Sequence, residues 1–173
     1  MIKVICLLFD GVEEIEAIAP VDLLRRAEIE VTLCTLDSGH EVTGRSGIVL
    51  QAETTVDETA DALFLPGGPG ITHLRKDERV AALVRRFFDA GKTIAAICAA
   101  PQILADAGIL EGRKFTAHFS ANLPAALNER VVQDGNLITS QGAGTAIDFG
   151  LVLIKHFCGT QKADNIAKAI MAK

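Results

Sequence analysis

Cys98 has the sequence surroundings of a reactive thiol. It follows the apolar run Thr93–Ile97 and lies in the small-residue segment AICAAP at 96–101. This pattern is typical of a strand that turns sharply into a helix and presents a nucleophile, because the flanking residues come close together and must be small. Unpaired N–H groups at a helix N-terminus stabilise a thiolate, so we expect a lowered pKa for Cys98. The alternative is a small hydrophobic residue of the core.

The other three cysteines have different surroundings. Cys6 and Cys34 lie inside strand-like runs, and Cys158 ends a late helix. We interpret these three as structural. Because the chain has no paired CxxC motif and no signal peptide pattern, we expect reduced thiols and a cytoplasmic location.

The elements that must position Cys98 alternate between strand-like and helical patterns. Apolar runs predict strands at 2–9, 31–36, 62–65 and 93–97. A hairpin or edge excursion is predicted within 41–51, and a hairpin within 131–139. Helices are predicted at 13–27 with an interruption or restart at Pro20, around 80–88, at 101–107, from Thr145 with Asp148 as a weak capping partner, and at 164–172. Strands alternating with helices predict an α/β fold, with a mostly parallel sheet covered by helices on both faces. We expect residues 1–173 to form a single domain.

In such a sheet, ligands bind beyond the carboxyl ends of the strands. Three segments should therefore meet at this edge: Asp10–Glu16, Pro66–Gly70 and Cys98. Glu16 beside a thiolate would have to keep its proton and donate a hydrogen bond to sulfur, since two adjacent negative charges repel each other. Such a carboxyl could also transfer protons during catalysis. The alternative for Glu16 is an exposed acid of the first helix.

Backbone amides and one histidine could complete the site. The N–H groups of Gly67, Gly68 and Ala99 could form an oxyanion hole, although Gly67 and Gly68 are equally compatible with an ordinary turn. His118 is the only histidine in a segment expected to overhang the crevice. It is a candidate acid, base or positioning group, and a structural role is the alternative.

Composition excludes several classes of protein. The net charge of −5 and the pI near 5.3 argue against a nucleic-acid partner or an anionic membrane surface. No apolar window approaches the length of a membrane span. No His or Cys pair has metal-ligand spacing and no G-x-G-x-x-G motif is complete, so we expect neither a metal nor another cofactor.

Five motifs in this order resemble the ThiJ/PfpI superfamily, in the branch of the parkinsonism-associated protein deglycase and the bacterial YajL-like proteins. They are GVEEIE (11–16), PVDLLRRA (20–27), LPGG (65–68), AAICAAP (95–101) and TSQGAGT (139–145). Three departures stand out. Ala99 follows the cysteine where the peptidase-like branch has histidine, a C-terminal His-x-Glu is missing, and Ala143 replaces a proline.

The resemblance implies a flavodoxin-like three-layer sandwich and a homodimer. It implies Cys98 as an oxidisable nucleophile, Glu16 as its protonated partner and His118 as the nearby histidine. It also implies that Arg26 and, from the partner subunit, Arg45 border the pocket, where they could attract an anion. The alternative for both arginines is solvated surface charge.

Two functional hypotheses follow. The first is a cofactor-independent cysteine enzyme with glyoxalase or deglycase activity and a stress-protective role. It would take a small aldehyde or a glycated substrate and convert a 2-oxoaldehyde such as methylglyoxal into a 2-hydroxy acid. The second is a redox-sensing or chaperone-like dimer, in which Cys98 oxidised to the sulfinic acid is the signal.

Overall fold

The computed structural model describes residues 1–37, 39–57 and 59–172. In these residues the strands are β1 (Lys3–Leu7), β2 (Glu30–Thr35), β3 (Glu41–Thr43), β4 (Val49–Gln51), β5 (Thr54–Thr55), β6 (Ala62–Leu65), β7 (Thr93–Ile97), β8 (Val131–Asp134) and β9 (Leu137–Ser140). The helices are α1 (Glu14–Arg26), α2 (Ile71–Leu74), α3 (Glu78–Asp89), α4 (Pro101–Asp106), α5 (Ala146–Cys158) and α6 (Thr160–Ala169). Short 3-10 turns lie at Phe119–Ala121 and Ala143–Thr145.

The main sheet places the three predicted site segments side by side. Its strand order is β5-β2-β1-β6-β7-β9-β8, and its neighbouring pairs are parallel except for the antiparallel pair β8 and β9. Strands β3 and β4 form a separate antiparallel hairpin. Helix α1 packs against α5 and α5 against α6, whereas α3 packs against α4. Because β1, β6 and β7 are adjacent and parallel, the loops after them emerge at one edge.

Most predicted elements are confirmed. Strands β6 and β7 have the predicted bounds, and both predicted hairpins are present. Helix α3 buries the predicted apolar stripe, with Val80, Leu83, Val84 and Phe87 almost inaccessible to solvent. The strands β1, β6 and β7 carry apolar side chains on both faces because helices cover both sides of a parallel sheet.

The predicted interruption of the first helix at Pro20 is wrong. Helix α1 continues through Pro20 and ends at Arg26. Proline removes one helical hydrogen bond, but close packing of α1 on α5 compensates. A Cβ placed on Gly150 of α5 would lie 3.2 Å from the Cα of Pro20 and 2.6 Å from a methyl carbon of Leu23. This close approach holds both halves of the helix against the same neighbour.

Two further details differ from the sequence prediction. The last helix begins at Thr160, because Gly159, with φ of +85°, ends α5 and lets the chain turn directly into α6. Thr145 does not cap α5 together with Asp148. Its hydroxyl is 2.6 Å from the Ser140 hydroxyl and donates to the Gly142 carbonyl, while Asp148 pairs with Arg130.

Candidate active site

Cys98 occupies a constrained elbow immediately after β7. Its φ is +65°, a left-handed conformation that residues other than glycine rarely adopt. Its N–H donates to the Ser140 carbonyl at 2.9 Å, and its own carbonyl accepts the N–H of His118 at 2.9 Å. Ala96 and Ala100 are completely buried on either side. The turn is therefore held from two neighbouring segments, and only small residues fit around it.

Glu16, in the first turn of α1, lies beside Cys98. Its side chain is almost fully buried, and its Oε2 accepts the N–H of Gly67 at 3.1 Å. Its other oxygen, Oε1, and the Cys98 sulfur both lie near Gly142, at 3.7 and 3.9 Å from a Cβ placed there. A Cβ on Gly67 would lie 2.5 Å from Glu16 Oε2 and 2.7 Å from Cys98 Cβ, so this contact requires glycine at 67.

Burial controls the acidity of both groups. It raises the pKa of Glu16 to about 7, while the hydrogen bond from Cys98 acts in the opposite direction and the charge of Glu13 adds to the increase. Burial and the neighbouring charge of Glu16 raise the pKa of the Cys98 thiol to about 12. The sequence analysis predicted a lowered pKa for the Cys98 thiol. That prediction is wrong when Glu16 is ionised, because the pKa is then raised. Two groups in such contact titrate as a pair, so the first proton that the pair loses can come from either one.

The amides around Cys98 divide into two sets. The N–H groups of Gly68 and Ala99 are hydrogen-bonded to the Cys98 sulfur and favour its charged form. The N–H of Gly67 is already donated to Glu16, which corrects the prediction that it is free for an oxyanion. Gly68 has a φ of +120°, and a Cβ there would lie 2.4 Å from the Gly11 carbonyl oxygen. The loop after β6 thus packs against both the thiol and the loop after β1.

His118 reaches the same cavity from the loop after α4. Its Nδ1 is 2.8 Å from the Ser120 hydroxyl and accepts the Ser120 N–H at 3.3 Å. In the neutral ring the proton is therefore on Nε2. A Cβ on Gly142 would lie 3.4 Å from His118 Cδ2 and 3.9 Å from Cys98 Sγ, so the imidazole and the thiol both lie next to Gly142. The exposed ring of Phe119 stacks on the other side of His118, with centroids 4.1 Å apart.

Glu16, Cys98 and His118 all line one cavity of about 470 Å³. Arg45 also lines it, from the turn between β3 and β4 of the same chain, whereas the sequence prediction placed it there from a partner subunit. Its Nη1 donates to Glu13 Oε2 at 3.0 Å. Arg26 is not brought to the cavity, because it lies in the last turn of α1 and pairs there with Asp22 at 2.7 Å.

The turn that carries Arg45 is anchored to the start of α1. Ser46 N–H donates to Glu14 Oε1 at 2.8 Å, and Arg45 N–H donates to the Val12 carbonyl at 2.9 Å. Glu14 is buried, and hydrogen bonds from the turn's backbone, with burial opposing them, lower its pKa. A Cβ on Gly44 would overlap this carboxylate. The turn therefore fits tightly against α1, which holds Arg45 at the cavity.

Sequence reasoning missed one charged residue of this cavity. Arg75 lines it from the residue after α2 and makes a two-bond pair with Asp106, at 2.6 and 2.7 Å. The sequence contained a signal for it. Arg75 follows the glycine loop 67–70 by about one helical turn, and that loop was already predicted to lie at the site.

Neither a metal-binding cluster nor a membrane-spanning helix is present in the described ranges 1–37, 39–57 and 59–172. Within them, no group of three or more His, Cys, Asp or Glu side chains is arranged to hold a metal ion. None of the helices in this part of the chain is long and apolar enough to cross a membrane.

Fold and site together define a flavodoxin-like protein with a cysteine at the strand-to-helix elbow. The chain belongs to the DJ-1/PfpI family, whose pattern matches residues 2–156. It is 36% identical to Protein dj-1beta of Drosophila melanogaster, an alignment that covers 95% of this chain and 94% of that protein. It is 34% identical to Deglycase PfpI of Pyrococcus furiosus, over 82% of this chain and 91% of the relative. The structure of oxidized Toxoplasma gondii DJ-1 superposes with a TM-score of 0.92 at 30% identity, covering 99% of both chains.

Proposed function

We propose that this protein is a cofactor-independent cysteine enzyme that acts on reactive carbonyls. Its reaction would convert a 2-oxoaldehyde such as methylglyoxal into a 2-hydroxy acid, and related steps would repair glycated thiols and amines. The observation that carries this proposal is that Cys98 and the carboxyl of Glu16, whose pKa is about 7, lie against the same glycine, Gly67, and line one cavity. Relatives named as deglycases support the same class of chemistry.

The active form of the pair would carry its charge on sulfur and its proton on Glu16. The N–H groups of Gly68 and Ala99 favour this arrangement because they are hydrogen-bonded to the sulfur. A protonated Glu16 also removes the charge repulsion that otherwise raises the pKa of Cys98. A carboxyl with a pKa near the working pH is suited to giving up and regaining a proton.

In the first step the Cys98 sulfur forms a bond to the aldehyde carbon, and the carbonyl oxygen takes the proton of Glu16 to give a hemithioacetal. The C–H proton of this carbon and the proton of its new hydroxyl then leave, and the neighbouring carbonyl group gains one proton on carbon and one on oxygen, which yields a hydroxy thioester. Glu16 and His118 transfer these protons. Water finally breaks the C–S bond and releases the hydroxy acid and the thiol. The sum is addition of one water to the dicarbonyl, so no oxidant or reductant is consumed.

The test is formation of lactate from methylglyoxal by the purified protein without glutathione. Wild type should produce lactate, and Cys98→Ser should reduce the rate to background because it lacks the nucleophile. Cys158→Ser is the matched control, since Cys158 is exposed and its replacement leaves the cavity intact. Equal rates for wild type and Cys98→Ser would overturn the proposed activity.

The proposal includes a homodimer, a cytoplasmic location and a stress-protective role. Exposed apolar side chains on α1 and on the β3–β4 hairpin support self-association, because large apolar groups exposed together mark interaction surfaces. They are Ile15, Ile18, Ile48 and Val49. Sedimentation should give twice the chain mass for wild type, and Ile18→Glu with Val49→Glu should give the monomer mass. A monomeric wild type would contradict this part of the proposal.

The same site supports a second candidate function, a redox-sensing or chaperone-like dimer. A protonated Glu16 could donate a hydrogen bond to a sulfinate at Cys98, and a related Toxoplasma gondii protein has an oxidized structure. Two equivalents of peroxide should add two oxygens to Cys98 before the other cysteines react, with two waters released. Glu16→Ala should change that yield. Equal oxidation of all four thiols would count against this function.

A further inference from the structure

The candidate cavity contains more space than methylglyoxal requires, and its lining includes two arginines beside the acids Glu13 and Glu16. Its volume of about 470 Å³ is within the range of sites for small organic ligands and is much larger than a three-carbon dicarbonyl. Cys98 lines it, and so do the guanidinium groups of Arg45 and Arg75. The space not needed by the reacting carbons is therefore bordered by groups that bind anions.

Arg75 is held in place with part of its hydrogen-bonding capacity unused. Its Nε and Nη2 donate to the two carboxylate oxygens of Asp106 in α4, at 2.6 and 2.7 Å. Within the described part of the chain, its Nη1 makes no hydrogen bond. Asp106 itself does not line the cavity. The pair therefore fixes the guanidinium at the cavity wall while its counter-charge lies outside.

Arg45 supplies a second, differently supported guanidinium. Its Nη1 donates a hydrogen bond to Glu13. Because Glu13 also lines the cavity, the positive charge of Arg45 is balanced within the cavity. More than half of its side chain is exposed, compared with about a third of that of Arg75. Of the two arginines, Arg75 is the less exposed and the one whose counter-charge is outside the cavity.

We propose that Arg75 binds an anionic group of the substrate, so that the site selects 2-oxoaldehydes that carry a carboxylate or a phosphate. This inference rests on the proposed function for the identity of the reacting group. The aldehyde faces Cys98, and the anion sits against Arg75 with Arg45 nearby. Arginine suits this task because its planar donors match both carboxylate and phosphate oxygens.

The experiment measures equilibrium binding to the Cys98→Ser protein, which cannot turn over a substrate. The probes are lactate, its uncharged analogue lactamide, and glycerol 3-phosphate, each titrated by calorimetry. Lactate or the phosphate should bind at least about tenfold more tightly than lactamide, in keeping with a charged hydrogen bond. Arg75→Gln should weaken the anion roughly tenfold and leave lactamide unchanged, whereas Arg75→Lys should weaken it less.

Arg79→Gln is the matched control, since Arg79 also forms ion pairs on the surface but does not line the cavity. Stronger binding of lactate identifies a carboxylate site, and stronger binding of glycerol 3-phosphate identifies a phosphate site. Affinities for both lactate and glycerol 3-phosphate that are no higher than that for lactamide would overturn the proposal, as would equal losses in Arg75→Gln and Arg79→Gln. Because no turnover is involved, these outcomes are separate from the lactate-formation test of the enzyme itself.

Discussion

Cys34, buried inside a strand, and Cys98, partly exposed just after the end of another strand, differ in their capacity for chemistry. Burial raises the pKa of each to about 12. Cys34 lies inside β2 and donates its S–H to the Cys6 carbonyl at 3.4 Å. Cys98 lies beyond the end of β7, opens into a cavity and is hydrogen-bonded to Glu16. The comparison shows what distinguishes a reactive thiol from a structural one. A reactive thiol needs a neighbouring group that can hold a proton, here Glu16, and access to a cavity.

The largest expected difference between the two sites is in labelling by iodoacetamide. In a Cys158→Ser background, Cys98 should react roughly 1000-fold faster than Cys34, because Cys34 is reached only when the protein opens. Mass spectrometry of tryptic peptides taken over time measures both rates. Comparable rates at Cys34 and Cys98 would break the comparison.

The next effect is a pH dependence of stability that comes from Glu16. Its folded pKa of about 7 lies above the ordinary value of 4.5, so the folded state binds more protons than the unfolded state between these two pH values. The contribution of Glu16 to the free energy of unfolding should therefore be highest below pH 4.5. It should fall by up to about 3 kcal/mol as the pH rises to 7.

Urea unfolding at a series of pH values measures this dependence, and Glu16→Gln should remove it. Cys34→Ser should keep it, because no carboxyl contacts that thiol among the described residues. An identical pH profile for wild type and Glu16→Gln would show that Glu16 is an ordinary acid.

A smaller effect is expected at the glycine that separates Glu16 from Cys98. Gly67→Ala should lower stability by about 2 kcal/mol, since the new Cβ meets Glu16 and Cys98 at 2.5 and 2.7 Å. It should also disturb the thiol and slow its alkylation. Gly144→Ala, in the neighbouring loop, has nothing within 4 Å of the added carbon and should change neither property. Thermal unfolding and labelling of both variants test this, and equal losses would contradict the crowded geometry.

The smallest effect concerns the turn that carries Arg45. Glu14→Gln weakens the acceptor of the Ser46 N–H, so hydrogen exchange at Ser46 should accelerate by a few-fold. Exchange at the Cys98 amide, which donates to Ser140, should be unchanged. Acceleration at both amides would mean that the turn and the elbow open together.

Much of this structure could be predicted from local patterns. The alternation of apolar runs and helical stripes identified β6, β7 and α3, and parallel strand order brought Glu16 to Cys98. The continuation of α1 through Pro20 could not be predicted, because it depends on the contact with Gly150. The hydrogen bond from the Gly67 amide to Glu16 and the position of Arg75 in the cavity wall also could not be predicted. Both depend on contacts between segments that are distant in the sequence, which a local pattern does not contain.

The thiol pKa shows the same limit. A strand-to-helix elbow predicts a lowered value, but burial and the charge of Glu16 outweigh the neighbouring amides when Glu16 is ionised. The pKa of Cys98 depends on whether Glu16 holds a proton. Because Glu16 and Cys98 are 82 positions apart in the sequence, the residues around Cys98 do not reveal this dependence.

The central claim is that Glu16 keeps its proton when the pair carries one negative charge. The most direct measurement is the ultraviolet absorbance of the Cys98 thiolate as a function of pH, in wild type, Glu16→Gln and Cys98→Ser. We expect a thiolate that appears well below pH 12 in wild type, is absent in Cys98→Ser, and moves to higher pH in Glu16→Gln, where a weaker donor faces the sulfur. A wild-type thiolate that appears only near pH 12 would place the charge on Glu16 and contradict the account.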